Sequence, residues 1–107
     1  SQIGGKDDVS LGGDFLEAKF QNGGIDKFYD YIIANFDTQT VEKKGQIVFE
    51  FTVNENGEVK NIKVVRDLGS NSAIELIRVL RKAPKWQPAS RGGKPVSINL
   101  KMPLTFK

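Results

Sequence analysis

Residues 83–106 read APKWQPASRGGKPVSINLKMPLTF. Pro84, Trp86 and Pro88 alternate at the start of this stretch. Proline fixes φ near the extended value and biases the preceding residue the same way, so Ala83 to Pro88 cannot be helical. The indole is therefore carried on a stiff, extended arm. Arg91-Gly92-Gly93-Lys94-Pro95 predicts a turn, because paired glycines supply positive φ without steric cost. Ile98, Leu100, Met102, Leu104 and Phe106 then alternate with Ser97, Asn99, Lys101, Pro103 and Thr105. That is the period of a half-buried strand. Pro103 lacks an N–H, which demotes this strand to an edge or a bulged position.

Working backward, Ser72 and Glu75 have the spacing of a capping box. The helix behind them is predicted to bury Ala73, Leu76, Ile77, Leu80 and Ala83. Its cations Arg78, Arg81 and Lys82 lie towards the C-terminus, where the dipole favours them. Gly45 to Val53 alternates as a strand, with Ile47, Phe49, Phe51 and Val53 on one face. It is the most apolar strand in the chain, which places it at the centre of a sheet. Asn54-Glu55-Asn56-Gly57 carries the strongest hairpin signal. The return strand, Glu58 to Arg66, has Val59 out of phase with Ile62 and Val64, predicting a bulge near Lys60 or Asn61.

Ile25 to Phe36 is predicted as a helix, with Ile25, Phe28, Tyr29, Ile32 and Phe36 in one apolar stripe. Asp37 to Lys44 is a polar connection with at most one helical turn. Asp14 to Asn22 reads as a short strand or an extended cover over the core. Ser1 to Gly13 holds two Gly-Gly pairs and Asp7-Asp8 with little to bury, and reads as a flexible lead-in. Residues 14–107 are then one domain. A strand–helix–strand crossover is right-handed and makes its two strands parallel. The first strand, antiparallel to both, fits between them. The expected fold is α+β: a single three-stranded antiparallel/mixed sheet in the order 2-1-3, with two helices packed on one face.

Composition narrows the function. The chain has 107 residues, a net charge of +3, no cysteine and no histidine. Disulfides, thiolate nucleophiles and imidazole ligands are thereby excluded, and no histidine base is present to activate a serine or threonine. The expectation is a non-enzyme without cofactor or metal. Residues 1–53 carry nine acidic and five basic side chains, whereas 54–107 carry four and eleven. The basic set Arg78, Arg81, Lys82, Lys85, Arg91 and Lys94 has one interleaved aromatic and no recognition helix. It reads as a solvated surface, with an anion-binding face as the weaker alternative and no nucleic-acid partner. Asp26 and Asp30 share a helix face without any group to split their pKa values. The Asn54–Gly57 turn lacks the length and closing glutamate of a calcium loop. Trp86 reads first as core packing, with partner recognition as the competing role. The edge at Ser97 to Phe106 stands open between a pairing site and an edge blunted by Lys101 and Pro103.

The run from Gly45 to Phe106 resembles the C-terminal domain of TonB, the energy transducer of Gram-negative outer-membrane import. The pieces that carry the likeness are Gly45-Gln46-Ile47-Val48-Phe49-Glu50-Phe51-Thr52-Val53, Asn56-Gly57-Glu58-Val59, Ile62-Lys63-Val64-Val65, Ala83-Pro84-Lys85-Trp86-Gln87-Pro88-Ala89, Gly93-Lys94-Pro95-Val96 and Met102-Pro103-Leu104-Thr105-Phe106. Gly23-Gly24 with the Ile25 helix also looks like the upstream helix of many such domains. The resemblance implies a periplasmic protein-binding domain that captures an extended segment of an outer-membrane TonB-dependent transporter along the last strand. It implies contact with a membrane only through an anchor outside this chain. With Pro103 interrupting the outer side, the expected contact concentrates on Ser97, Ile98, Asn99, Leu100 and Lys101. A structural module of the same fold that self-associates as a homodimer is the alternative.

Overall fold

A computed structural model describes residues 14–107, and the expected lead-in at 1–13 lies outside them. The elements in chain order are β1 (Phe15–Leu16), α1 (Ile25–Asn35), a 3₁₀ turn (Thr38–Thr40), β2 (Gly45–Val53) and β3 (Val59–Arg66). They continue with α2 (Ser70–Arg81), β4 (Ala89–Arg91), β5 (Lys94–Val96) and β6 (Ile98–Phe106). The class is α+β, as expected. The single sheet is not: two three-stranded sheets are present, β3-β2-β6 and β1-β4-β5, both antiparallel between neighbours. The larger one places the central strand where the crossover argument put it. The smaller one arises because the glycine turn at 92–93 closes a hairpin between β4 and β5, and Phe15 and Leu16 pair with Arg91 and Ser90.

The apolar alternation of β2 explains its place. Ile47, Phe49, Phe51 and Val53 are all essentially inaccessible to solvent, and both helices cover that face. The helix stripes differ from the expected ones. In α1 the buried residues are Phe28 and Ile32, with Phe36 just beyond its end, while Ile25 is 44% exposed. Tyr31 turns inward instead, stacking near Phe28 and donating its hydroxyl to the Val79 carbonyl at 3.0 Å. In α2 the buried apolar residues are Leu76, Val79 and Leu80, whereas Ala73 and Ile77 sit at the margin.

The capping box is also absent. The helix starts at Ser70 with Gly69 as its N-cap, so Ser72 lies inside the first turn. Its hydroxyl donates to the Gly69 carbonyl at 2.6 Å and accepts the Leu68 N–H. Glu75 reaches away from the helix start to accept the Asp37 N–H at 2.8 Å. It also binds the Arg78 guanidinium, with both contacts at 2.7 Å. A tertiary partner has displaced the local one. Arg78 holds the Glu75 carboxyl down at about 2, against partial desolvation and with help from the Asp37 N–H.

The tryptophan arm packs as the proline pattern predicts. Trp86 is 4% exposed and lies within 4.8–6.1 Å, centroid to centroid, of Phe20, Phe28 and Phe51. Its backbone N–H donates to the Gly57 carbonyl at 2.9 Å. Gly57 has φ +80, and a Cβ there would run into the Trp86 carbonyl. The hairpin turn and the arm are therefore locked together by a glycine that tolerates both constraints.

Candidate functional site

The last strand, β6, pairs with β2 without a break. Nine consecutive positions, from Gly45 opposite Phe106 to Val53 opposite Ile98, stay in register. Its outer side carries no strand among the described residues. Pro103 sits opposite Val48 inside this run. A proline facing β2 would delete a ladder bond, so its nitrogen belongs on the outer side. Backbone N–H and C=O groups switch sides at each residue. Asn99 and Lys101 then share the outward direction of Pro103, while Ile98, Leu100, Met102 and Leu104 bond to β2. The free donors of the edge are thus those of Asn99, Lys101 and, past the proline, Thr105.

The five residues singled out in the sequence fall as follows. Ile98, Asn99, Leu100 and Lys101 form the first half of β6. Ser97 is not part of the strand; it is the exposed single-residue link between β5 and β6, where the chain passes from one sheet to the other. Asn99 and Lys101 point to the uncovered face of the sheet, and Ile98 and Leu100 to the helix side, where they are only half buried. From Met102 onward the same face is sealed, since Met102 and Leu104 are buried.

On the uncovered face the side chains form rows across the three strands. Thr52 donates its hydroxyl to Asn99 Oδ1 at 2.7 Å and accepts from Asn61 Nδ2 at 3.4 Å. In the next row Glu50 lies between Lys63 and Lys101, with the Lys101 ammonium 4.0 Å from its carboxylate. On the helix side, an apolar cleft of about 400 Å³ opens beside the edge. Phe15, Ala18, Ile25, Trp86, Ile98 and Leu100 line it. Sequence reading missed this cleft.

The cationic set is dispersed. Arg78 and Arg81 lie along α2 with Ile74 and Ile77, Lys82 caps its C-terminus, and the charge of Arg78 is taken up by Glu75. Arg91 and Lys94 belong to the β4–β5 hairpin, where Arg91 stacks over the Phe15 ring at 5.0 Å. The Asp26 carboxylate accepts the Gly24 N–H at 3.1 Å, a local role at the start of α1. Among the described residues no group of three or more acidic side chains could hold a metal ion, and no helix is long and apolar enough to cross a membrane.

A family model described as Gram-negative bacterial TonB protein C-terminal matches residues 38–107, about two thirds of the chain. Among curated proteins none matches. The matched region starts after α1, so β1, α1 and half of the cleft wall precede it.

Proposed function

Because the chain belongs to the TonB C-terminal family, we propose that it is a periplasmic, non-enzymatic domain that binds protein in TonB-dependent transport. Its partner is an extended segment of an outer-membrane transporter, which adds as a further strand along the outer side of β6. The observation that carries this reading is the unbroken nine-residue register of β6 against β2, beside an outer side that carries no strand among the described residues. A regular edge offers evenly spaced main-chain donors and acceptors, and an extended peptide satisfies them whatever its side chains. Pro103 limits the contact to the first half of the strand, so Ile98 to Lys101 form the docking segment and Ser97 its exposed entrance. Affinity is modest, because ordering a flexible peptide opposes the gain in hydrogen bonds.

The test is a titration of the chain with an extended transporter segment, following backbone amide shifts, in wild type, Asn99→Pro and Lys101→Pro. Both prolines remove an outward N–H without touching the ladder to β2. Each should abolish binding while changing stability by less than about 1 kcal/mol. Shifts that map to the helices, or to Lys82 and Arg91, or normal binding by both variants, would exclude strand addition. A rise in mass without peptide, lost in the same variants, would assign the edge to self-association.

A further inference from the structure

The two faces of the β6 edge impose opposite chemistry on whatever strand lies beside it. A strand added to a sheet shares the pleat of its neighbour, so a residue directly opposite Lys101 faces the same side as Lys101. The residues flanking it face the other side. On the uncovered face the row opposite that position runs Lys63, Glu50, Lys101, alternating in sign across three strands. Lys101 is 62% exposed at its side chain, and its ion-pair partner Glu50 lies on the inner side, opposite it on β2. On the helix side the residue opposite Leu100 faces the apolar cleft, whose far wall is Phe15, Ala18 and Ile25. Phe15 and Ile25 are 37% and 44% exposed there. Apolar surface of this kind beside a free strand edge gains from being covered.

Building on the strand-addition reading above, we propose that this chain selects its partner segment by side chains as well as backbone. The segment carries a carboxylate opposite Lys101 and, one residue away, a large apolar side chain that fills the cleft beside Leu100. The carboxylate extends the alternating charge row to a fourth strand. A lysine there would meet Lys101 as a like charge directly across the ladder, which is unfavourable. Part of the cleft wall, Phe15, Ala18 and Ile25, precedes the family-matched region. Row and cleft lie on opposite faces, so they read alternate residues of one strand and set its register.

A symmetric probe makes strand direction irrelevant: the capped peptide Ser-Thr-Leu-Glu-Leu-Thr-Ser places an apolar residue in the cleft whichever way it runs. It is titrated, with amide shifts as the readout, alongside a version with Lys for Glu and one with Ala for both Leu. The protein is tested as wild type and as Lys101→Glu, whose unchanged amide spectrum elsewhere checks its fold. The Glu-to-Lys peptide should bind wild type about five- to tenfold more weakly, and Lys101→Glu should reverse that preference. The Leu-to-Ala peptide should lose about tenfold or more on both proteins. If all three peptides shift Ile98 to Lys101 with equal affinity, the selection is overturned and strand addition stands. If no peptide shifts the edge, both are overturned.

Discussion

The larger sheet has two outer edges, and they are built differently. β6 runs nine residues in one register and presents a straight margin interrupted only by Pro103. The opposite margin, β3, is irregular at two places: its register against β2 shifts between Val48 and Phe49 and again between Glu50 and Thr52. At the second shift Asn61 adopts φ +54, a left-handed conformation that side-chain-bearing residues seldom take. Lys60, Asn61 and Lys63 crowd that stretch with polar groups. Bulges and lysines are the devices by which an edge is withheld from further pairing. One edge of this sheet is closed by its backbone, and the other is left open and given a cleft. The difference supports β6, over β3, as the proposed place for a partner.

The largest effect expected from breaking this arrangement comes from the support beneath the open edge. Trp86 packs against Phe20, Phe28 and Phe51 and forms part of the cleft wall. Trp86→Ala should cost about 3–5 kcal/mol in urea melts. The indole N–H is buried without a partner among the described residues. Trp86→Phe removes that orphan donor along with some volume, and should cost only about 1–2 kcal/mol. Equal losses for the two variants would mean that the indole N–H is satisfied in solution.

A second variant separates stability from the edges. Glu75 lies in α2, and its carboxyl stands at about 2 instead of 4.5 because Arg78 and the Asp37 N–H hold its charged form. A lowered folded value means that this contribution is complete above the ordinary carboxylate value and is lost as pH falls towards about 2. The Arg78 side chain is 46% exposed, so screening limits the contribution to about 1–2 kcal/mol. Urea melts near about pH 6 and about pH 3 should differ by a large part of that amount more in wild type than in Glu75→Gln. Peptide binding at the higher pH should be the same in both. A loss of binding in Glu75→Gln would show that the edge depends on the seating of α2.

What could be read in the sequence depended on how local the signal was. The alternation in Gly45–Val53 and Ile98–Phe106, the Asn-Gly turn and the misplaced phase of Val59 each reside within one segment. The central strand, the hairpin, the edge and the bulge at Asn61 follow from them. The second sheet has no such signal, because β1 has two residues and β4 and β5 three each, too few to show a period. Its partners Phe15 and Arg91 are joined only by the fold. Ser72 and Glu75 carried a true local pattern, but the Asp37 N–H and Arg78 offered the carboxylate better partners. The spacing of Ile25 assigns it to the core, and spacing does not reveal that the helix rolls to bring Tyr31 inward. The cleft combines residues 15–25 with 86–100, and no pattern in the chain links them.

The smallest effect concerns the closed edge and tests whether Asn61 closes it. Asparagine tolerates the left-handed conformation better than most residues, and here its amide also reaches Thr52. A β-branched residue at this φ is penalised. Asn61→Val should therefore cost about 1–2 kcal/mol in urea melts, and Asn61→Gly should stay within about 0.5 kcal/mol of wild type. The bulge is expected to survive in both, since the shifted register commits Lys60 and Lys63 to their places opposite Thr52 and Glu50. Both variants should then keep the wild-type mass in sedimentation, and peptide shifts should stay on β6. The informative failure is a valine variant that loses no stability and gains mass. It would mean that the strand straightens, that β3 becomes a second pairing edge, and that the contrast between the margins rests on this one backbone conformation.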